Sequence, residues 1–266
     1  MERRFACTAC GKCCSGRLPL TLKDALAHAG RFPLAMLWTV VRPGAKSFAL
    51  TARLGTEVRL GKRKPIAVQI TPISYLPPLM ACPALAADGL LCTIHAEKPL
   101  RCRTMPFYPY REERDQADLL VPRPGWLCDT SEAAPVVYRD HEIVGRGDFD
   151  RERQDLVEQA PVLKAYADRL LAMAPNVTAA LEQAANKPQG GYVVLGFSAV
   201  LARLGQIDVA TFARRQLPVL SDFAARTAGL SGAGEFHRYY RDSAAGMERL
   251  LARHSQGAGT NGNSGE

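Results

Sequence analysis

No cysteine occurs after residue 128 of this 266-residue chain. All eight lie between Cys7 and Cys128, so whatever chemistry the thiols perform belongs to the first half. Long apolar runs are missing too. The longest, residues 32–41 and 192–202, fall well short of the roughly 20 residues that span a bilayer as a helix. Only Glu-Arg-Arg-Phe-Ala stands between Met1 and Cys7, with no apolar stretch of the kind that directs secretion. These absences predict a cytoplasmic protein with no membrane span. Thiols stay reduced in that compartment, so clustered cysteines read as a metal site rather than as a set of disulfides.

Hydrophobic residues make up 47% and charged residues 23%, the proportions of a chain that buries a real core. The formal net charge of +8 and a pI near 9.2 would suit an anionic partner such as nucleic acid. That count treats every cysteine as neutral, however. Eight thiolates holding two zinc ions would halve the excess, so the charge gives no strong nucleic-acid signal. An unidentified protein partner remains open.

The uneven cysteine distribution divides the chain. A boundary is expected at Ala133-Ala134-Pro135 or a few residues after it. This gives a cysteine-rich metal-binding domain over 1–135, a helical domain over 136–255 and a disordered tail over 256–266. The tail contains no apolar anchor. The fold class is α+β: a metal-stapled first half with short antiparallel strands, then an α-helical second half.

Several elements are legible locally. Thr21-Leu22-Lys23-Asp24 has the form of a capping box and predicts a short helix. Alternation at Phe48, Leu50, Ala52 and Leu54, then Val58 and Leu60, then Ile66, Val68 and Ile70, predicts two or three strands. Gly55, Gly61 and Pro65 mark the turns between them. Pro161 suits the first turn of a helix with an apolar stripe at Leu163, Tyr166, Ala167, Leu170 and Leu171. Asn176 and Asp208 are candidate caps for later helices. The stretch from Tyr192 to Leu204 reads as one buried helix. Phe236, Tyr240, Met247, Leu250 and Leu251 give a last amphipathic one. No convincing internal repeat is present.

The cysteines open with Cys7-x-x-Cys10-x-x-Cys13-Cys14. Thiolates spaced this way along a tight turn can converge on one metal. Gly11 suits such a turn because it takes positive φ without strain, and Phe5 is placed to shield one side. Adjacent Cys13 and Cys14 point in different directions. Cys7, Cys10 and Cys13 would therefore share a centre, while Cys14 reaches a second one, bridges, or stays a supporting thiol. The other group is Cys82, Cys92, Cys102 and Cys128. Arg101 and Arg103 stand ready to offset thiolate charge. Eight ligands fill two four-coordinate sites, or one cluster plus a second site of mixed use. Three cysteines at this spacing with a distant fourth resemble a ferredoxin run, a slight lean toward an iron–sulfur cluster. Four-cysteine zinc sites tolerate almost any loop spacing, so zinc stays open.

The run from Cys7 to Cys14, then Cys82, then Cys92-x-Ile94-His95 with Lys98-Pro99-x-x-Cys102-Arg103-x-x-Pro106, resembles the YkgJ-like CxxCxxCC family of zinc- or iron-chelating cysteine clusters. The same type of signature is found in bacterial flagellin lysine methylases. The likeness covers roughly residues 5–107. It implies a bacterial chain in which Cys7, Cys10, Cys13, Cys14, Cys82, Cys92 and Cys102 chelate metal. His95 stands where Tyr is common in the family, and Lys98 where Arg is. Cys128 lies beyond the shared motif and joins the ligands by cysteine arithmetic alone.

Three functions follow. The metal can staple a domain that binds a partner; an iron–sulfur enzyme can transfer electrons or, like the methylases, a group; or the chain can carry metal. The first is preferred, and whether the chain is an enzyme stays open because no nucleotide or methyl-donor motif is evident. His95, three residues after Cys92, forms a C-x-x-H pair, but with four thiols in its group it reads as a supporting or surface residue. His28, His141, His237 and His254 read as solvated or packing residues. Gly229-x-x-Gly232-x-Gly234 follows no predicted strand and reads as a connection. Arg214-Arg215 and Lys62-Arg63-Lys64 read as solvated faces or turns.

Overall fold

The structure, a computed structural model, describes residues 2–60, 65–78, 80–188, 190–205 and 207–259. The Lys62-Arg63-Lys64 run and the turn at Gly61 lie outside the described residues, as do residues 260–266 of the expected tail.

In chain order, β1 (Glu2–Arg4) and β2 (Leu18–Pro19) precede α1 (Leu22–Ala27), β3 (Leu34–Val41), α2 (Phe48–Leu54), β4 (Thr56–Val58) and β5 (Ile66–Ser74). Cysteine-bearing loops follow, interrupted only by 3-10 turns and α3 (Leu100–Thr104). The rest comprises β6 (Val136–Arg139), β7 (Glu142–Ile143), α4 (Gly147–Met173), α5 (Pro175–Asn186), β8 (Tyr192–Gly196), α6 (Ser198–Leu201), α7 (Val209–Thr227) and α8 (Gly234–Gly259). Strands thus gather mostly in the first half and helices in the second, the expected α+β arrangement. No helix among the described residues is long and apolar enough to cross a membrane.

The central pair is β3 against β5, antiparallel from Leu34↔Ser74 to Val41↔Ala67. Every residue of β5 is buried, as expected of a strand covered on both faces. β2 and β4 pair with β5, and β8 closes the other side by pairing antiparallel with β3. A strand of the second half therefore completes a sheet of the first. The main core also draws on both sides of residue 135: Trp38, Val68 and Ile73 pack with Leu163, Tyr166, Phe212 and Tyr240. Trp38 meets Tyr166 edge-on at 5.7 Å, a favoured aromatic geometry. A smaller sheet, β1-β6-β7, sits over a satellite core of Phe5, Phe107, Leu120, Tyr138, Ile143 and Phe149.

The local signals hold where a cap marks them. Thr21 Oγ1 accepts from Asp24 N at 3.0 Å, and Asp208 Oδ1 from Thr211 N at 3.0 Å, opening α1 and α7 as expected. Four expectations give way. Residues 48–54 are helix α2, not strand, because Leu50 and Leu54 also stand one helical turn apart and Ala, Leu and Arg favour helix. Pro161 does not open a helix but lies inside the 27-residue α4. The first half of α4 hides its period because part of its buried face is polar: Glu152, Asp155 and Gln159. Pro175 takes the first position of α5 with Ala174 as its cap, displacing Asn176 from that role. Finally, 192–204 divides into β8 and α6. Val193 and Val194 suit a strand pairing with β3, and Gly196 ends it.

One buried side chain joins the halves directly. Gln216 on α7 donates Nε2 to Ala29 O and, at 2.8 Å, to Phe32 O, and its Oε1 accepts from Leu34 N at 3.1 Å. Gln216→Leu leaves these backbone groups buried without partners. It is expected to cost about 2–4 kcal/mol of stability, read as a lowered denaturant midpoint for the whole chain. A midpoint within error of wild type would contradict this role.

Candidate metal centre

All eight cysteines are free thiols. The backbone brings them together in two neighbourhoods. In the first, Ala6 and Asp129 form an antiparallel bridge (N···O 2.8 and 2.9 Å), which lays Cys7 beside Cys128. Thr8 Oγ1 donates to Leu127 O at 2.9 Å, which keeps this loop against the Cys128 segment. Cys128 lies within electrostatic reach of Cys10, Cys7 and Cys13. It also packs against the satellite core that contains Phe5, so Phe5 backs this neighbourhood from beneath.

In the second, Cys82 N donates to Cys14 O at 2.9 Å, beside the Ser15↔Ala81 bridge. A bridge between Leu85 and Cys92 folds the next loop back on itself. Cys14 is within electrostatic reach of Cys82, Cys102 and Cys92. Cys102, carried by α3, is within reach of Cys82, Cys92 and Cys13. Cys13 and Cys14 stand between the two neighbourhoods with their sulfurs 4.0 Å apart.

Gly11 explains how closely the two loops meet. Its φ is +68°, and a Cβ there would fall 2.0 Å from Gly89 O, so glycine is required by both conformation and space. Arg103 braces the approach to Cys102 by donating to Lys98 O (3.0 Å) and Ala96 O (2.8 Å). Its charge therefore serves the loop. Arg101 is buried and paired with Glu152 at 3.4 Å. His95 is exposed and His28 Nε2 sits 3.0 Å from Glu97 O.

The thiols are unequally acidic. Backbone N–H groups of Lys12 and Leu127 lower the pKa of Cys10. Cys14 is lowered by the hydrogen bond from Cys13, and Cys13 is raised by making it. Burial, then the charges of Cys82 and Cys92, push Cys102 up to about 12. Burial likewise raises Cys82, and burial followed by Cys10 and Cys7 raises Cys128.

The donor set fits a thiophilic ion. Short N–H···S hydrogen bonds of the i→i+2 type meet Cys7 from Ala9 (3.4 Å) and Cys82 from Ala84 (3.5 Å), and such bonds stabilise anionic sulfur. Repulsion among neighbouring thiolates is what a bound cation would cancel. As they stand, no three His, Cys, Asp or Glu side chains among the described residues are placed to hold one ion.

Residues 6–120 match the model of the CxxCxxCC family, described as a putative zinc- or iron-chelating domain. Over this segment, a little under half of the chain, the protein is similar to that family. No curated protein and no solved structure matches the chain.

The matched segment includes seven of the eight cysteines and stops short of Cys128. Cys128, grouped by the sequence with Cys82, Cys92 and Cys102, stands instead with Cys7 and Cys10, because the Ala6↔Asp129 bridge lays its segment along the first cysteine run. Sequence reasoning missed the supports: Asp24, which accepts from Leu100 N at 3.1 Å at the start of α3, and Glu152, which meets α3 from beyond the matched segment. Asp24 had already been noted as a capping residue; only the fold gives it a second task.

Thiolates, not thiols, react with electrophiles. In metal-free chain near pH 7, Cys10 should be alkylated by iodoacetamide well before Cys102, read by peptide mass spectrometry. Equal rates at the two positions would contradict this ordering.

Proposed function

We propose that the chain is a metal-binding protein in which two sets of four thiolates hold zinc or iron and the metal structures the loops between β1 and β2 and between β5 and β6. Cys7, Cys10, Cys13 and Cys128 form one set; Cys14, Cys82, Cys92 and Cys102 form the other. The observation that carries this reading is the backbone pairing that lays Cys7 beside Cys128 and Cys14 beside Cys82, with the adjacent Cys13 and Cys14 sulfurs 4.0 Å apart between them. The family that residues 6–120 match supports zinc or iron as the ion. Bound metal supplies Lewis-acid stapling or, as an iron–sulfur centre, electron storage. The chain's own residues orient the sulfurs and donate hydrogen bonds to them. Because the sulfurs do not yet converge, binding draws the loops in, and its free energy becomes folding free energy. Free thiols at these positions suit a reducing, cytoplasmic setting.

Exposure of Cys7 and Cys13 favours a second reading, in which the chain hands metal on. Release rate separates the two: slow release marks a staple, fast release a carrier.

Iron, acid-labile sulfide and zinc per chain, measured after oxygen-free purification, test the proposal. The expected result is a stoichiometric content of zinc, or of iron with sulfide, that falls in Cys10→Ser and in Cys92→Ser. Each variant should lose about the content of one set, with a lower melting temperature. A wild-type chain without metal, or variants with undiminished metal and stability, would overturn the assignment.

A further inference from the structure

Glu152 lies in α4, outside the segment that matches the CxxCxxCC family and remote in sequence from any cysteine, yet it is only 3% exposed. Burying a carboxylate costs free energy unless partners compensate. Among the described residues, its hydrogen-bond and ion-pair partners are on α3. Thr104 Oγ1 donates to Glu152 Oε2, and Arg101, itself 6% exposed, pairs with the same oxygen at 3.4 Å. Arg101 also donates to Phe107 O, closing the segment that follows α3. Cys102 stands between Arg101 and Thr104 on this short helix, which has five residues and no side-chain cap bond of its own. Such a helix is unstable alone. The same face of α4 reaches α1: Gln159 Oε1 accepts from Leu22 N at 2.7 Å, and Asp155 pairs with Lys23 at 2.6 Å. α1 in turn supplies Asp24, which accepts from the first N–H of α3. Thus a row of buried polar groups on α4 holds α3, which carries Cys102, through Arg101 and Thr104 and by way of α1. A purely packing role would be filled by apolar residues at lower cost, so the buried charge points to placement of α3.

We propose that Glu152 is a positioning residue for the Cys14, Cys82, Cys92 and Cys102 metal site, coupling the helical second half of the chain to metal retention. The inference rests on the two-set reading above. Losing a residue that orients a metal ligand typically weakens binding by about 10–100-fold, and that is the expected size.

The test is differential alkylation of the zinc-loaded full chain with N-ethylmaleimide, read residue by residue, together with the rate at which a chelator removes zinc. In wild type, all eight cysteines should be protected by zinc. In Glu152→Gln, protection of Cys14, Cys82, Cys92 and Cys102 should fall, with release from that set about tenfold faster or more. Cys7, Cys10 and Cys128 should stay protected, which general loosening of the fold would not spare. Should Glu152→Gln not fold, Thr104→Val removes one of the two contacts to Glu152 and should show the same selective loss to a smaller degree. Glu152→Gln matching wild type in protection and release overturns this inference alone. Loss across both sets, in Glu152→Gln or in Thr104→Val, also overturns it. A wild-type chain whose cysteines react equally with and without zinc overturns the two-set reading and this inference with it.

Discussion

Like charges on neighbouring sulfurs are the constraint around which this molecule is arranged. Two thiolates about 4 Å apart, the spacing of Cys13 and Cys14, repel by on the order of 4 kcal/mol at an effective dielectric of about 20. Without a cation, some of the thiols must therefore keep their protons; burial first, and neighbouring thiolates after it, raise Cys82, Cys102 and Cys128, and the hydrogen bond to Cys14 raises Cys13. With a cation, the same crowding becomes attraction. The fold supplies the crowding through backbone contacts: the Ala6↔Asp129 and Ser15↔Ala81 bridges, and the Gly11–Gly89 approach.

Those contacts need a rigid base, which the second half of the chain provides. The loop segments hang from β5, from β2 beside it and from β6. β5 is held against β3, which is flanked in turn by β8. Gln69 on β5 accepts from Tyr108 Oη at 2.7 Å, anchoring the stretch after Cys102. Gln116, wholly buried, clasps the same stretch by bonding Tyr108 at both its N–H and its carbonyl. α4 completes the frame by holding α1 and α3. The cysteine half is thus not a self-contained bead on a helical partner but a set of loops draped over a core that both halves build.

What was legible in the sequence follows from the range of each signal. The caps at Thr21 and Asp208, the strand from Ile66 and the final helix from Phe236 to Leu251 rest on neighbours within a few residues, and each is found. Residues 48–54 and 192–204 were ambiguous because short apolar stretches satisfy both periods, and tertiary pairing decided between them. α4 was half read because Glu152, Asp155 and Gln159 look like a solvated face until α1 and α3 are seen to cover them. Likewise, nothing near Cys128 in the chain announces Cys7; only the bridge between Ala6 and Asp129 does.

The central claim is that sulfur from these cysteines is the ligand. X-ray absorption at the edge of the metal found in the purified chain tests it most directly. The account predicts a first shell of four sulfurs, at about 2.3 Å if the metal is zinc. A first shell dominated by nitrogen or oxygen would contradict it.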